Sequence, residues 1–142
     1  MLHIIPDFPL TEKIGAVVIA IVWILATSLI PEPHRQKISA LMIAGAGAAY
    51  LSGGLGAWEF VFCTIMTGVA FRGLRSYTFI GLGWLLHTGW DVMHHLYGNP
   101  IMPFDPASSA GCAVCDAILA LYFFAGAPGF FSTFRRNKTL IN

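Results

Sequence analysis

The sequence predicts an all-α protein, a polytopic bundle of about five transmembrane helices. Three observations support this: an apolar composition, long apolar segments, and basic residues that recur in alternate connections. The chain has 142 residues, of which 56% are hydrophobic and 11% charged, whereas soluble domains carry roughly 25% charged residues. A net charge of +1 argues against a nucleic-acid-binding protein, and three cysteines are too few for a disulfide scaffold.

The helix bounds follow from apolar runs and the breaks between them, since about 17 to 25 apolar residues span a bilayer as a helix. The first run stops at the Pro-Glu-Pro of 31–33, and the Ser-Gly-Gly-Leu-Gly segment of 52–56 divides a longer run in two. The Gly-Asn-Pro at 98–100 ends the fourth helix, and Ser108 and Ser109 are N-cap candidates for the fifth. The single domain of residues 1–142 is therefore predicted to contain helices at about 14–30, 38–51, 57–71, 78–97 and 109–126.

Basic residues predict the orientation, because cytoplasmic loops are enriched in Lys and Arg. Five spans with the N-terminus outside and the C-terminus in the cytoplasm leave only Lys13 outside. The first 13 residues lack the net positive charge of a signal peptide's N-terminal region. We therefore expect the first helix to be retained rather than cleaved as a signal peptide. Seven of the eight Lys and Arg residues then lie inside, namely Arg35, Lys37, Arg72, Arg75, Arg135, Arg136 and Lys138.

Several ionisable residues fall inside the predicted spans, where each costs at least ~2.5–3.5 kcal/mol at the bilayer centre. They are Glu59, His87, Asp91, His94, His95 and Asp116. The predicted topology places all six in the outer half of the membrane. His87, Asp91 and His94 share one helix face because they are spaced at i, i+4 and i+7. The sequence therefore permits a polar pocket formed by the third, fourth and fifth helices.

Imidazole and carboxylate groups one helical turn apart can bind a single metal ion. We expect Zn²⁺ or Fe²⁺ with an open coordination position, held by His87, Asp91, His94 and His95. Asp116 or Glu59 would complete the ligand set or act as a catalytic general base. This interpretation favours a metal-dependent membrane enzyme that acts on a lipid or another apolar substrate.

The order His-x3-Asp-x2-His-His at residues 87–95 resembles a histidine box of membrane desaturases and hydroxylases. That resemblance implies an iron centre, with Asp91 where those families have a histidine. The chain has five histidines in all, fewer than such di-iron enzymes use, so a complete desaturase is not expected. A haem is not expected either, because two histidines on one helix cannot bind it from both faces.

The same residues also fit other functions. The same polar groups could serve a non-enzymatic carrier of ions, protons or a small ligand, or pair structurally in an accessory subunit. Cys112 and Cys115 resemble, in position only, the CxxC of the vitamin K epoxide reductase and DsbB families, which implies thiol redox chemistry. The only other cysteine is Cys63. Small residues at 44–49 allow close helix packing within the chain or in a homo-oligomer, and membrane lipid is the expected partner.

Residues 86–128 resemble a family of small bacterial integral membrane proteins of unknown function. The resemblance implies a helical bundle in a bacterial inner membrane and supplies no activity. It rests on His87-Thr88-Gly89-Trp90-Asp91, His94-His95-Leu96-Tyr97-Gly98-Asn99-Pro100, Ser108-Ser109-Ala110-Gly111-Cys112 and Cys115-Asp116.

Overall fold

The computed structural model describes residues 7–51 and 53–129, and this part of the chain is all-α. In chain order the five helices are α1 Leu10–Ser28, α2 His34–Ala48, α3 Trp58–Gly73, α4 Tyr77–Tyr97 and α5 Ser108–Phe124. The only β-type pairing among these residues is an isolated bridge between Met102 and Asp105. The predicted all-α class and the number of five helices are therefore confirmed for this part of the chain. The start of the chain and the basic residues Arg135, Arg136 and Lys138 lie outside the described residues.

The observed helix bounds differ from the predicted ones at the polar ends. α1 begins at Leu10 rather than 14 because Pro9 is its extended N-cap, and Glu12 lies in the first turn, where the helix dipole favours a negative charge. A helix bound predicted from apolar residues alone leaves out this first turn, because the turn contains polar residues. α2 ends at Ala48 rather than 51. At α5 the N-cap is Ala107, so the predicted capping role of Ser108 and Ser109 is wrong; both side chains bond to the preceding loop instead.

α4 lies at the centre of the bundle and packs along α5, and it also contacts α2 and α3. α2 packs against α3, where Gly47 lies directly against Met66, and α1 packs mainly on α5. Large side chains from four helices fill the core, and none is more than 1% exposed: Ile43, Met66, Ile80 and Phe123. Gly47, which belongs to the run of small residues at 44–49, therefore packs inside the chain.

The interior contains acids and imidazoles, whereas many of the largest apolar side chains face outward. Ile14, Val22, Phe60 and Phe71 are 56%, 58%, 63% and 70% exposed. Among the described helices, α1 alone combines the length and the hydropathy of a membrane span, with 19 residues and a mean hydropathy of 1.9. α5 is apolar but shorter, with 17 residues. One helix is therefore a membrane-span candidate by length and composition.

Two interhelical connections meet at one end of the bundle. The N–H of Asn99 donates to the Gly53 carbonyl oxygen at 2.7 Å, which joins the α4–α5 connection to the α2–α3 turn. At the other end, Arg35 donates to Glu32 at 2.8 Å, and Tyr77 also bonds to Glu32. The buried acids and imidazoles lie towards the end where Asn99 meets Gly53.

Candidate metal centre

α4 and α5 bring one histidine and two aspartates together inside the bundle. His87 and Asp91 are one turn apart on the buried face of α4, and Asp116 lies in the third turn of α5. One potential ligand atom from each lies within 4.8 Å of those from the other two. The three residues are 3%, 0% and 5% exposed, so solvent does not hydrate their charges. The structure thus joins two of the four predicted metal ligands to Asp116, which the sequence suggested as a catalytic residue or an additional ligand.

The two ring nitrogens of His87 have different partners. Nε2 lies 2.9 Å from the carbonyl oxygen of Ala46, which can only accept, so Nε2 carries a hydrogen. Nδ1 lies 2.6 Å from Oδ2 of Asp116 and 3.3 Å from Oδ2 of Asp91. A lone pair on Nδ1 would be repelled by both carboxylates. A proton, either on Nδ1 or on a carboxyl oxygen, or a metal ion must therefore lie where these three atoms converge.

The charges around His87 favour a divalent cation. Two ionised aspartates leave a charge of −2 beside a neutral imidazole and −1 beside an imidazolium. Within residues 7–51 and 53–129, neither aspartate is ion-paired with a lysine or arginine. An uncompensated buried charge costs several kcal/mol. A divalent metal ion bound by all three residues would neutralise the two carboxylates.

Tyr50 bonds to the carboxylate oxygen of Asp91 that does not face His87. Its hydroxyl donates to Oδ1 of Asp91 at 2.7 Å and lies 2.9 Å from Oγ of Ser109. Ser109 in turn accepts from the N–H of Ile101 at 3.1 Å. Oδ2 of Asp91 has no hydrogen bond and faces His87, which leaves it available as a ligand atom.

Sequence reasoning missed Tyr50, Ser109 and the Ala46 carbonyl group as parts of this site. A backbone carbonyl carries no sequence signal. Tyr50 follows a run of small residues near the end of an apolar segment, where a tyrosine ordinarily indicates the membrane interface. A serine just before an apolar helix indicates a helix cap, which is the only role that the sequence suggests for Ser109.

His94 and Glu59 form a second buried pair next to the three-residue cluster. Nε2 of His94 lies 3.3 Å from Oε2 of Glu59, whose Oε1 accepts from the N–H of Leu55 at 3.1 Å. The His94 ring stacks on Tyr50, with centroids 3.8 Å apart and 9° between the planes. Tyr50 therefore contacts both groups of polar residues.

Two glycines leave room for the imidazole of His94. A Cβ atom on Gly98 would lie 2.4 Å from Nδ1 of His94, and one on Gly53 would lie 2.6 Å from its Cε1. Both are shorter than a van der Waals contact. The loop backbone thus packs directly on the histidine, and a larger residue at either position would displace it.

The remaining candidate residues lie outside the group of three. His95 is half-buried, and its Nδ1 has no hydrogen bond among the described residues. Cys63, Cys112 and Cys115 are free, half-buried thiols. No disulfide therefore joins the CxxC pair.

Aromatic side chains surround His87. Phe62 and Trp84 have ring centroids 6.2 and 6.3 Å from the imidazole, and Phe62 stacks on Trp90. Apolar walls of this kind exclude water and lower the local dielectric constant, which strengthens every electrostatic interaction of the cluster. A cavity of about 310 Å³ lies between the α2–α3 turn and the α4–α5 connection, with Tyr50 as part of its lining.

The chain matches the profile of a family of unknown function, DUF6010, over residues 11–129. The chain belongs to DUF6010. The matched region includes α2 to α5 and all but the first residue of α1, so every side chain of the cluster in this DUF6010 chain lies within it. Comparisons with curated proteins and with solved structures give no match. The expected membership of a family of unknown function is confirmed.

Proposed function

We propose that this DUF6010 chain is a multi-pass membrane protein that binds one divalent metal ion through His87, Asp91 and Asp116. The observation that carries the proposal is the orientation of His87. Its Nε2–H is bonded to a backbone carbonyl, and its Nδ1 faces two carboxylate oxygens at 2.6 and 3.3 Å. Metal-binding histidines usually donate their second ring N–H in this way, which fixes the tautomer and the orientation of the ring.

The distribution of polar and apolar residues supports a membrane environment. Carboxylates and imidazoles are buried, whereas valine, isoleucine and phenylalanine side chains on α1 and α3 are more than half exposed. Lipid is the solvent that favours this arrangement, because apolar side chains can face it without penalty and ionisable ones cannot. In the proposed topology the N-terminus is outside, the C-terminus is in the cytoplasm of a bacterial cell, and the metal centre lies in the outer half of the bilayer.

The ligand set favours a catalytic rather than a structural site. One imidazole and two carboxylates suit Zn²⁺ or Fe²⁺, and three protein ligands leave a coordination position for water or substrate. When bound, such a metal would activate water or polarise a carbonyl or phosphoryl group. Its lipidic surroundings favour a lipid or another apolar substrate. The roles of His94 and His95 as metal ligands and of Glu59 as a catalytic base stay predictions. Glu59 contacts His94 and the Leu55 N–H.

A second candidate function is a non-enzymatic carrier of an ion or a small ligand. It is favoured by the cavity of about 310 Å³ next to Tyr50, whose hydroxyl contacts Asp91. Only the side chain of Tyr50 would separate a solute in this cavity from the carboxylate of Asp91. In proteoliposomes a carrier would give metal or proton flux that is lost in Asp91→Asn, whereas an enzyme would give no flux.

Metal binding to the purified full-length protein tests the leading proposal. Zn²⁺ and Fe²⁺ are each titrated in detergent, and the metal content is measured by elemental analysis. We expect about one equivalent per chain, and a loss of affinity of ~100-fold or more in His87→Gln, Asp91→Asn and Asp116→Asn, which exceeds the loss typical of residues that only support the ligands.

Asp105→Asn is the matched control, because Asp105 bonds to the Ala107 N–H in the α4–α5 connection. This variant should bind metal like the wild type. Absence of a stoichiometric metal ion after loading, or equal affinity in all four variants, would show that His87, Asp91 and Asp116 pair only with one another.

A further inference from the structure

A second cavity lies at the opposite end of α4 from the metal centre. It has a volume of about 330 Å³ and is formed where α3 ends and α4 begins. The residues that line it are two arginines, two phenylalanines and one serine, namely Phe71, Arg72, Arg75, Ser76 and Phe79. Nothing in the proposed metal chemistry uses these residues.

The two arginines supply positive charge that no carboxylate neutralises. Within the described part of the chain, neither guanidinium has an ion pair, and Arg72 lies 5.9 Å from the centre of the Phe79 ring. Arg35, in the first turn of α2, differs because it donates hydrogen bonds to Glu32 and Tyr77. Both Arg72 and Arg75 are exposed. They are therefore free to bind an anion from outside the chain.

The backbone at this cavity also favours an anion. Ser76 is the N-cap of α4, and its side chain makes no capping hydrogen bond. The first N–H groups of a helix lack partners within the helix, and the helix dipole places a partial positive charge there. This charge adds to that of the arginines.

We infer that this cavity binds the phosphate group of an anionic phospholipid in the cytoplasmic leaflet. Guanidinium groups bind phosphate oxygens through paired hydrogen bonds, and basic pockets on the cytoplasmic side of membrane helices bind anionic headgroups. Phe71, which is 70% exposed, flanks the arginines and offers a surface for the acyl chains. The inference depends on the proposed membrane topology and is independent of the metal centre.

Native mass spectrometry of the full-length protein in detergent tests the inference. Phosphatidylglycerol and phosphatidylcholine are titrated separately, and the bound lipid is counted. We expect the wild type to prefer phosphatidylglycerol. Each arginine near an anionic headgroup contributes about fivefold, so the double variant Arg72→Gln with Arg75→Gln should lose about 25-fold in affinity for this lipid.

The matched control removes the same charge elsewhere, with Lys13→Gln and Lys37→Gln together, and should stay within about twofold of the wild type. An equal loss in both double variants, or no loss in the arginine variant, would overturn the inference. If the arginine double variant does not fold, Arg75→Gln alone serves, with a loss of about fivefold expected.

Inorganic phosphate distinguishes a lipid headgroup from a soluble anion. We expect millimolar phosphate to leave phosphatidylglycerol bound, since it offers no acyl chain to the phenylalanines. Displacement of the lipid by phosphate, with phosphate binding lost in the arginine variant, would assign the cavity to a soluble anion and contradict the lipid assignment. Zn²⁺ stoichiometry of the arginine variant should equal that of the wild type, so failure here is separable from failure of the metal proposal.

Discussion

Nδ1 of His87 and Oδ2 of Asp116 lie 2.6 Å apart, although 29 positions separate the two residues along the chain. The contact lies in the interface between α4 and α5, which is the most extensive interface between two helices in the bundle. Because Ala46 accepts from Nε2 of the same ring, α2 fixes the imidazole against both aspartates. Three helices thus determine the geometry of one histidine.

Metal binding should stabilise the fold, because the ion would bind the folded chain and not the unfolded one. At 100 times its Kd, Zn²⁺ should raise the free energy of unfolding by ~2.7 kcal/mol. Thermal unfolding in detergent, followed by circular dichroism with and without Zn²⁺, measures this. Asp105→Asn should show the same stabilisation and Asp116→Asn none. A Zn²⁺ effect that survives in Asp116→Asn would point to another binding site.

Tyr50→Phe should weaken the centre without removing a ligand. The variant loses the hydroxyl that donates to Asp91 at 2.7 Å and leaves that carboxylate oxygen without its partner. We expect a loss of ~1–3 kcal/mol in the free energy of unfolding and a ~10–100-fold loss of Zn²⁺ affinity. Tyr97→Phe is the control, since Tyr97 is 64% exposed at the end of α4. Equal Zn²⁺ affinity in the two variants would exclude a positioning role for Tyr50.

Gly98→Ala should destabilise the protein, whereas Gly89→Ala should not. A Cβ at 98 would lie 2.4 Å from Nδ1 of His94, but one at 89 would meet no atom within 4 Å. We expect Gly98→Ala to cost about 1–3 kcal/mol through overpacking. Gly89→Ala lies inside α4, where alanine is favoured over glycine by ~0.5–1 kcal/mol. The ranking of the two melting temperatures checks the packing of the loop against His94, and the reverse order would refute it.

The all-α class and the five helices could be predicted because they depend on apolar runs and the breaks between them. The sequence also indicated that His87, Asp91 and Asp116 lie at a similar depth, since helical spacing and the order of connections determine depth. It could not show which side chains face each other across helices. His94 lies three residues after Asp91, yet it stacks on Tyr50 and pairs with Glu59, because the rotation and crossing of α3 against α4 decide this contact. The role of the Ala46 carbonyl group could not be predicted either, since any residue would supply it.

Stability should depend on pH through Glu32, which lies between α1 and α2. Partial burial raises the pKa of its carboxyl, but hydrogen bonds from Tyr77 and Arg35 outweigh this and lower the pKa below 4.5. A lowered folded-state pKa contributes stability above the unfolded value that is lost as the pH falls through the folded value. Glu32→Gln should therefore have a lower melting temperature than the wild type near neutral pH. The difference between the two melting temperatures should become smaller below about pH 4.5.

Melting curves of the wild type and Glu32→Gln across this pH range measure the effect. Asp7→Asn, which changes an exposed carboxylate near the N-terminus, is the control and should show no such gap. A difference between Glu32→Gln and the wild type that stays constant as the pH falls would mean that the Glu32 charge does not contribute.

Anomalous diffraction at the zinc absorption edge, on crystals of the Zn²⁺-loaded protein, tests the metal centre most directly. We expect one strong peak about 2.0–2.2 Å from Nδ1 of His87 and from one oxygen each of Asp91 and Asp116. A peak between His94 and Glu59 instead, or none near His87, would contradict it.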